Sequence, residues 1–439
     1  MILGDTIVAA ATPYGYSGVA VLRLSGPSSS KLLFSLAGYS NFKNRRATLI
    51  KVRDGAGEIL DTGLATLFKS PNSYTGEDLV EISTHGNPFV VSGVIDLLIS
   101  MGARQAEPGE FTYRAFVNGK IDLVQAEAVA ALINSKSKES AKNQQRIVDG
   151  ELSSDLNEIR GGLVDVLSAL EHTMDISEEE VEGVFLDSLL KSLSAYIKKT
   201  ESLLGSFETG RLLNRGVSVV IVGPPNVGKS SLFNLIARTD RAIVSDVPGT
   251  TRDIVDVELV LSGVPVKFYD TAGVRKTDDV VEREGVGRAI QKRRSSDIVI
   301  SVFDSPKKLP ANYVAPKSTI TVLNKQDLHR KKQIDGVIHI SCLKKTGLDL
   351  LLKEIEKEIG VKKISSNTTY LFTSRQHSAL SSCVQFLLAA KDLMSKPPVD
   401  IEIVSFEVRE AVDALGTLLG KTTADDIINN IFKNLCVGK

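Results

Sequence analysis

The sequence predicts a multidomain chain of α/β plus all-α structure: an α+β domain at the N-terminus, a discontinuous helical domain, and a P-loop domain inserted within it. Three observations lead there. The 439 residues exceed what one hydrophobic core organises and suit two to four domains. A short apolar run feeds a glycine-rich GxxxxGKS segment that opens onto an apolar helical stretch. Two helical blocks flank that middle region, and it differs from both in its strands and glycine-rich turns.

Residues 1–118 read as the first domain. Apolar, β-branched runs at Asp5–Thr12, Val19–Ser25 and Leu79–Ser83 are separated by turn residues, as strands are. Pro88 to Met101 reads as a helix, with proline in its first turn and Gly102 at its end. Beyond this the character becomes helical. Leu152, Leu156, Ile159, Leu163, Leu167, Leu170 and Met174 recur at steps of three and four, one face of a helix of about six turns. A second helix is expected over Leu186–Phe207, with Glu178, Glu179, Glu180 and Glu182 in a solvated connection between the two. Helical character returns near Arg375. The helical domain is therefore expected in two parts, 119–215 and 373–439, around an insert at 216–372. Such insertions are tolerated because domain termini often lie close together.

Bulk properties narrow the function. Lys+Arg and Asp+Glu both number 53, so the net charge is zero. Binding through nucleic-acid phosphates usually needs a basic excess, so any RNA contact requires a local patch or a basic partner. Cys342, Cys383 and Cys436 form no CxxC pair and the histidines show no metal-ligand spacing, which argues against a disulfide framework or zinc site. The start MILGDTIVAA lacks the pattern of a secretory signal, and no long apolar stretch suggests a membrane span. A reducing cytoplasm is the expected setting.

The phosphate site carries the strongest signal. Val217–Val222 is a continuous apolar run, as expected of a buried parallel strand. It enters Gly223-Pro-Pro-Asn-Val-Gly-Lys-Ser230, and an apolar helical stretch follows from Ser231. The glycines let successive N–H groups, including those near Val227 and Gly228, turn toward one point at a helix N-terminus. Lys229 is expected on the β- and γ-phosphates, and the Ser230 hydroxyl on Mg2+. Three further segments choose the base. Asp270-Thr271-Ala272-Gly273 ends the apolar run Val264–Tyr269 and matches a DxxG switch, with Asp270 holding Mg2+ through water. Asn324-Lys325-Gln326-Asp327 follows Thr319–Leu323 and matches NKxD. The Asp327 carboxylate suits the two donors of guanine, whereas adenine would leave it unpaired. Ser341-Cys342-Leu343 takes the place of the last base-contacting loop, with cysteine where alanine is more usual. Four such segments in this order, each at a strand end, predict a Ras-like P-loop GTPase that binds GTP and GDP at the carboxyl edge of its sheet.

The water-orienting glutamine of Ras-like enzymes is replaced by Val274, which cannot hydrogen-bond. Other groups must act. Ser245, Asp246, Val247, Pro248, Gly249, Thr250 and Thr251 lie where the first switch belongs, with Thr251 available to complete the Mg2+ shell. Glu282 follows the second switch and is a candidate to orient water, although alone it reads more simply as a surface residue opening a helix over 282–294.

GPPNVGKS, PGTTRD, DTAG-V and NKQD resemble the Era-like GTPases. The chain is similar throughout to the TrmE (MnmE) family, including DTIVAAATP, VAVLRLSGP, SYTGEDLVEISTHG, PGEFTYRAFVNGKIDLVQAEAV and the closing CVGK. That resemblance implies a K+-activated, homodimeric GTPase acting in tRNA wobble-uridine modification. It would form a heterotetramer with the flavoprotein MnmG and use a 5-formyl- or methylene-tetrahydrofolate derivative. It implies K+ at Asn226, Ser245, Val247 and Thr250, and water orientation by Glu282. Arg252 and Asp253 would organise the switch and a G-domain dimer. The N-terminal domain would then be folate-binding-like and dimerising, with Arg23, Glu81, Lys120 and Lys439 at the folate. Cys436, read alone as a core residue, matches a family cysteine beside that site. Two alternatives stay open: an Era/Der-like ribosome-assembly switch and a nucleotide-dependent scaffold. The first lacks a KH pattern or second P-loop here, and the second is disfavoured by the presence of Glu282 and Asn226.

Overall fold

A computed structural model describes residues 4–174, 183–239, 242–243, 256–270, 296–304, 318–328, 334–360, 368–421, 428, 431–433, 435 and 437–438. The chain divides into two compact units, one of Met1–Ala131, Gln145–Thr200 and Ala379–Lys439, the other of Leu132–Gln144 and Glu201–Ser378. No described helix is long and apolar enough to cross a membrane.

The first unit opens with β1 (Ile7–Ala10), β2 (Ser17–Ser25), α1 (Ser29–Ala37), β3 (Thr48–Arg53), β4 (Ile59–Phe68), β5 (Leu79–Gly86), α2 (Pro88–Ser100), β6 (Arg104–Gln105) and α3 (Glu110–Val117). The strands form one sheet in the order β3-β4-β5-β2-β1-β6, antiparallel except for the β1–β6 pair. Alternation decides its faces. Leu22, Leu24, Val80 and Ile82 point into a core shared with Leu32 and Leu33 of α1 and Val94 and Leu98 of α2. Arg23 and Glu81, their neighbours in sequence, therefore fall on the opposite face. α2 starts at Pro88 as read and ends at Ser100, one residue short of the expected Met101: the Asn87 side chain accepts the Phe89 N–H at 2.9 Å, and Pro88 fills the first turn. The sequence reading misses β3, β4 and α1, because Lys51, Thr62 and the short Ser-rich helix dilute each apolar period.

The helices continue with α4 (Leu123–Ile133), α5 (Lys138–Val148), α6 (Glu151–Met174), α7 (Gly183–Gly205) and α8 (Phe207–Arg215). α6 has the expected length, but its buried line is Leu152, Leu156, Ile159, Leu163, Val166, Leu170 and Thr173. Leu167 is only half-buried, and Met174 is 47% exposed. Alternating steps of four and three keep one seam facing a partner helix, and the expected set departs from it at Leu167 and Met174, each one residue past the buried Val166 and Thr173. The expected helix at 186–207 ends two residues early, and Ser206 separates α7 from α8. The acidic run 178–182 lies outside the described residues.

The second unit holds β7 (Val217–Val222), α9 (Lys229–Ala237), β8 (Ala242–Ile243), β9 (Asp256–Leu261), β10 (Val264–Asp270), β11 (Ile298–Phe303), β12 (Thr319–Leu323), β13 (Val337–His339) and α10 (Leu348–Ile359). Its sheet runs β13-β12-β11-β7-β10-β9-β8, with β7, β10, β11, β12 and β13 parallel and the hairpin partners β9 and β8 antiparallel. Val219, Ile221, Phe268, Ile300, Val302 and Val322 are fully buried, which accounts for the unbroken apolar runs read from the sequence.

α11 (Ser374–Met394) and α12 (Ile401–Leu419) close the helical part. In the first unit α12 runs antiparallel to α6, with Arg409 bonded to Glu171 at 2.5 Å and Lys421 to Asn157 at 3.0 Å. Its buried Val404, Val408, Ala411, Leu415 and Leu418 repeat the same four-three seam. Phe432 and Leu435 pack with Tyr113, Phe116 and Leu123, and a Cβ on Gly438 would strike the main-chain oxygen of Ala10. The tail is thereby laid against β1.

Candidate functional site

β7 delivers the chain to Gly223, where any side chain would collide with the Val302 carbonyl. The loop then passes through Asn226 at φ 62° and Gly228 at φ 98° before α9 begins at Lys229. Left-handed backbone at Gly228 is one reason for glycine there. The other is space: a Cβ would fall on the Asn324 amide nitrogen. Val227 is buried beneath the loop, and Ser230 and Ser231 occupy the first turn of α9. The Lys229 ammonium lies back along the loop, donating to the carbonyls of Gly223 at 3.0 Å and Pro224 at 2.9 Å. It thus sits over the helix N-terminus, where the backbone dipole favours an anion.

β12 places Asn324 and Lys325 beside this loop. Asn324 is 3% exposed. Its Nδ2 donates to the Val227 carbonyl at 2.9 Å, and its Oδ1 accepts the Cys342 N–H at 3.2 Å. Lys325, at φ 62°, donates to the Asn226 carbonyl at 2.8 Å and approaches Asp304 at 3.3 Å. The Ser341 hydroxyl donates to Asp327 Oδ1 at 2.5 Å, so this loop orients the carboxylate read as the guanine acceptor. Burial pushes the Cys342 thiol up to about 11, with the Asp327 charge adding and the Asn324 hydrogen bond opposing. The thiol is therefore uncharged near neutrality. Leu343 is exposed.

Asn226 through Ser231, Asn324 through Asp327 and Ser341 through Leu343 are therefore gathered at the carboxyl ends of parallel strands. Asp270 closes β10 with its Cα in register with Ile221 of β7, one residue before the end of the P-loop strand. Ser245, Asp246, Val247, Pro248, Gly249, Thr250, Thr251, Arg252, Asp253, Thr271, Ala272, Gly273, Glu282, Cys436 and Lys439 lie outside the described residues, as does the expected helix 282–294. The described groups suit a nucleoside triphosphate: an ammonium, a left-handed glycine turn and a helix N-terminus meet in one loop, and the Asn324 side chain ties that loop to the segment that carries the oriented Asp327 carboxylate.

A second polar cluster lies in the first unit. Arg23 and Glu81 are cross-strand partners in β2 and β5, joined at 2.7 Å and 3.1 Å. The Arg23 guanidinium lies 5.4 Å from the Tyr74 ring and 5.8 Å from that of Phe111. Both groups stay partly exposed. Lys120 donates to the Pro71 carbonyl at 3.0 Å, and its methylenes pack on Gly76, so it borders the loop that carries Tyr74. The tail at Gly438 meets Ala10, whose preceding residue Ala9 is in register with Arg23.

Sequence reasoning missed the support beneath this cluster. Arg114 is fully buried and binds Asp5, Glu77 and Glu110, while Arg104 bridges Asp5 and Glu110. Burial pushes Asp5 and Glu110 up, but the hydrogen bonds and charges of the two arginines outweigh it and hold both carboxyls below their ordinary range. Only the mixed charge of PGEFTYRAF hinted at this. Tyr74 and Phe111 left no signal beyond being aromatic.

Comparison with known proteins gives the family. The family "MnmE helical domain" matches residues 123–436, and "GTP-binding protein TrmE N-terminus" matches residues 6–120. The tRNA modification GTPase MnmE of Aquifex aeolicus is 38% identical over 99% of this chain and 100% of its own. That of Pseudothermotoga lettingae is 39% identical over the same shares. Among solved structures, the G domain of the T. maritima FeoB iron transporter is 24% identical, covering 33% of this chain and 99% of that one at a TM-score of 0.24. Both ends and the middle of the sequence are matched in order, and the chain belongs to the MnmE (TrmE) family of tRNA modification GTPases.

Proposed function

We propose that this chain is a K+-activated GTP hydrolase of the cytoplasm that acts on the wobble uridine of certain tRNAs. In partnership with MnmG it would install the (carboxymethyl)aminomethyl group at C5 of uridine 34, with a tetrahydrofolate derivative supplying one carbon. The observation that carries the hydrolase reading is the Asn324 amide, which ties the phosphate loop to the guanine-reading segments.

The roles follow from the chemistry. Asp327 would select guanine by accepting from its N1 and N2 donors. Lys229 would exchange its loop carbonyls for the β- and γ-phosphates, a charge-assisted gain. Ser230 and Thr251, with Asp270 through water, would hold Mg2+, which neutralises phosphate charge. Asn226, Ser245, Val247 and Thr250 would hold K+, which stabilises charge developing at the β–γ bridge. Glu282 would orient the attacking water in the role that Val274 cannot fill. Arg252 and Asp253 would order the paired G domains of a homodimer. Within the proposed division, residues 1–118 would bind folate and dimerise, 119–215 and 373–439 would form the helical domain, and 216–372 the G domain. Arg23 and Glu81 suit the donor- and acceptor-rich edge of a pterin, with Lys120 and Lys439 on its carbonyl or carboxylates and Cys436 nearby as a nucleophile or redox group.

GTP turnover of the full chain in KCl and in NaCl, at matched ionic strength and with Glu282→Ala alongside, tests the reading. Stimulation by K+ that falls on the order of 10²- to 10⁴-fold without Glu282 supports it. Equal slow rates in both salts sink it.

A further inference from the structure

Glu258 holds an unusual position in the second unit. In β9 it is in register with Lys267 of β10 on one side and Ile243 of β8 on the other. Ile243 lies two residues before Ser245, where the segment read as the first switch begins, and β10 ends three residues after Lys267 at Asp270, the start of the second. Glu258 therefore sits at the centre of the hairpin that joins the two nucleotide-sensing segments. Its carboxylate accepts from Lys136 at 2.6 Å, with the Lys267 ammonium 3.9 Å away on the same oxygen.

Lys136 comes from a distant stretch of the sequence, the short connection before α5. Ser137 caps that helix, its hydroxyl accepting the Ser140 N–H at 3.1 Å. A turn further on, buried Asn143 accepts the Tyr370 N–H at 2.8 Å and donates to the Tyr370 carbonyl at 3.2 Å. Within this unit the segment 136–143 is thus gripped at one end by the switch hairpin and at the other by the main chain at Tyr370.

We propose that Lys136 and Glu258 form an ion-pair latch that carries the nucleotide state of the switch hairpin to α5. The idea rests on the GTPase reading, and it adds a regulatory contact away from the nucleotide. An exposed pair of this kind biases an equilibrium between states without holding either one rigidly. A movement of β9 that shifts the carboxylate by an ångström or two removes the bond and leaves the Asn143–Tyr370 pair in place.

Amide hydrogen exchange across residues 138–148 of the full chain, with GDP and with a non-hydrolysable GTP analogue, reads the latch. The wild type is expected to show a nucleotide-dependent difference. Lys136→Glu and Glu258→Lys should each shrink it by roughly two- to five-fold, and the double charge swap should restore it. Lys136→Ala, which adds no new charge, should behave like the single reversals. An equal exchange pattern in wild type with both nucleotides overturns the proposal, and so does a difference that survives the single changes or is not restored by the swap. Fluorescent GTP titration of the same samples separates the two ideas. Failure of the wild type to bind sinks the GTPase reading, whereas normal binding with unaltered exchange sinks the latch alone.

Discussion

Asn324 donates its side-chain amide to the main-chain oxygen of Val227 at 2.9 Å, linking residues 97 apart in the chain. The bond joins the segment that would read the base to the loop that would cradle the phosphates. Asn324→Ala leaves the buried Val227 carbonyl and the Cys342 N–H without these partners. The expected loss is about 1–3 kcal/mol of stability, seen as a lower urea midpoint, together with weaker GTP binding in a fluorescence titration.

Asp327→Asn changes an acceptor pair into one donor and one acceptor. Ser341 still meets the side chain, so little stability is lost. GTP affinity should fall by about 100-fold or more, because guanine's two donors then face an amide N–H. Xanthosine triphosphate, with a carbonyl in place of guanine's amino group, should gain. Competition binding with the two nucleotides measures both, and unchanged selectivity would remove Asp327 from the base site.

Glu81→Gln tests the folate reading without threatening the fold. The Arg23–Glu81 pair is partly exposed, so its loss should cost about 0–1 kcal/mol of stability. Binding of 5-formyl-tetrahydrofolate should weaken about tenfold or more, as charge-assisted hydrogen bonds are lost. Calorimetric titration of the full chain is the check.

The arginine network predicts acid sensitivity of the first unit. Asp5 and Glu110 have native values held below their ordinary range, so the unfolded chain takes up protons first as pH falls. Their stabilisation is complete above the unfolded values near about 4. It declines as pH drops through the lower native values. Arg114→Met takes from buried Glu110 one of its two arginine partners, leaving Arg104, and should cost about 1–3 kcal/mol at neutral pH. It should also flatten the acid limb of a plot of melting temperature against pH.

The seam of α6 makes a sharper test of packing. Leu163→Ala empties a fully buried site and should cost about 2–5 kcal/mol. Leu167→Ala, at a half-buried position on the flank, should cost about half as much or less. Equal losses in thermal unfolding would mean that the seam is not the one described.

Much of the outline is legible from residues alone. β7, β10 and β12 coincide with the apolar runs at 217–222, 264–269 and 319–323, because inner strands of a parallel sheet are apolar at most positions, with Ser218 and Lys267 as half-exposed exceptions. α2 and α6 were legible because proline, glycine and a sustained period mark their ends and faces. β3 and β4 were not, since one face of that hairpin meets solvent and its sequence is mixed.

The sequence by itself determined which chemistry is present and in what order: Lys229 after a glycine turn, Asp327 after a strand, Arg23 and Glu81 one step out of phase with the apolar residues beside them. Those are local properties, set by backbone geometry over a few residues. Tertiary structure decided what meets what. The Asn324 amide on the Val227 carbonyl, the Arg114 guanidinium on Asp5 and Glu77, and Lys136 on Glu258 all join residues tens to more than a hundred positions apart. Such contacts depend on strand order and register, and no periodicity along the chain encodes them, because a hydrogen bond is specified in ångströms and a sequence only in neighbours.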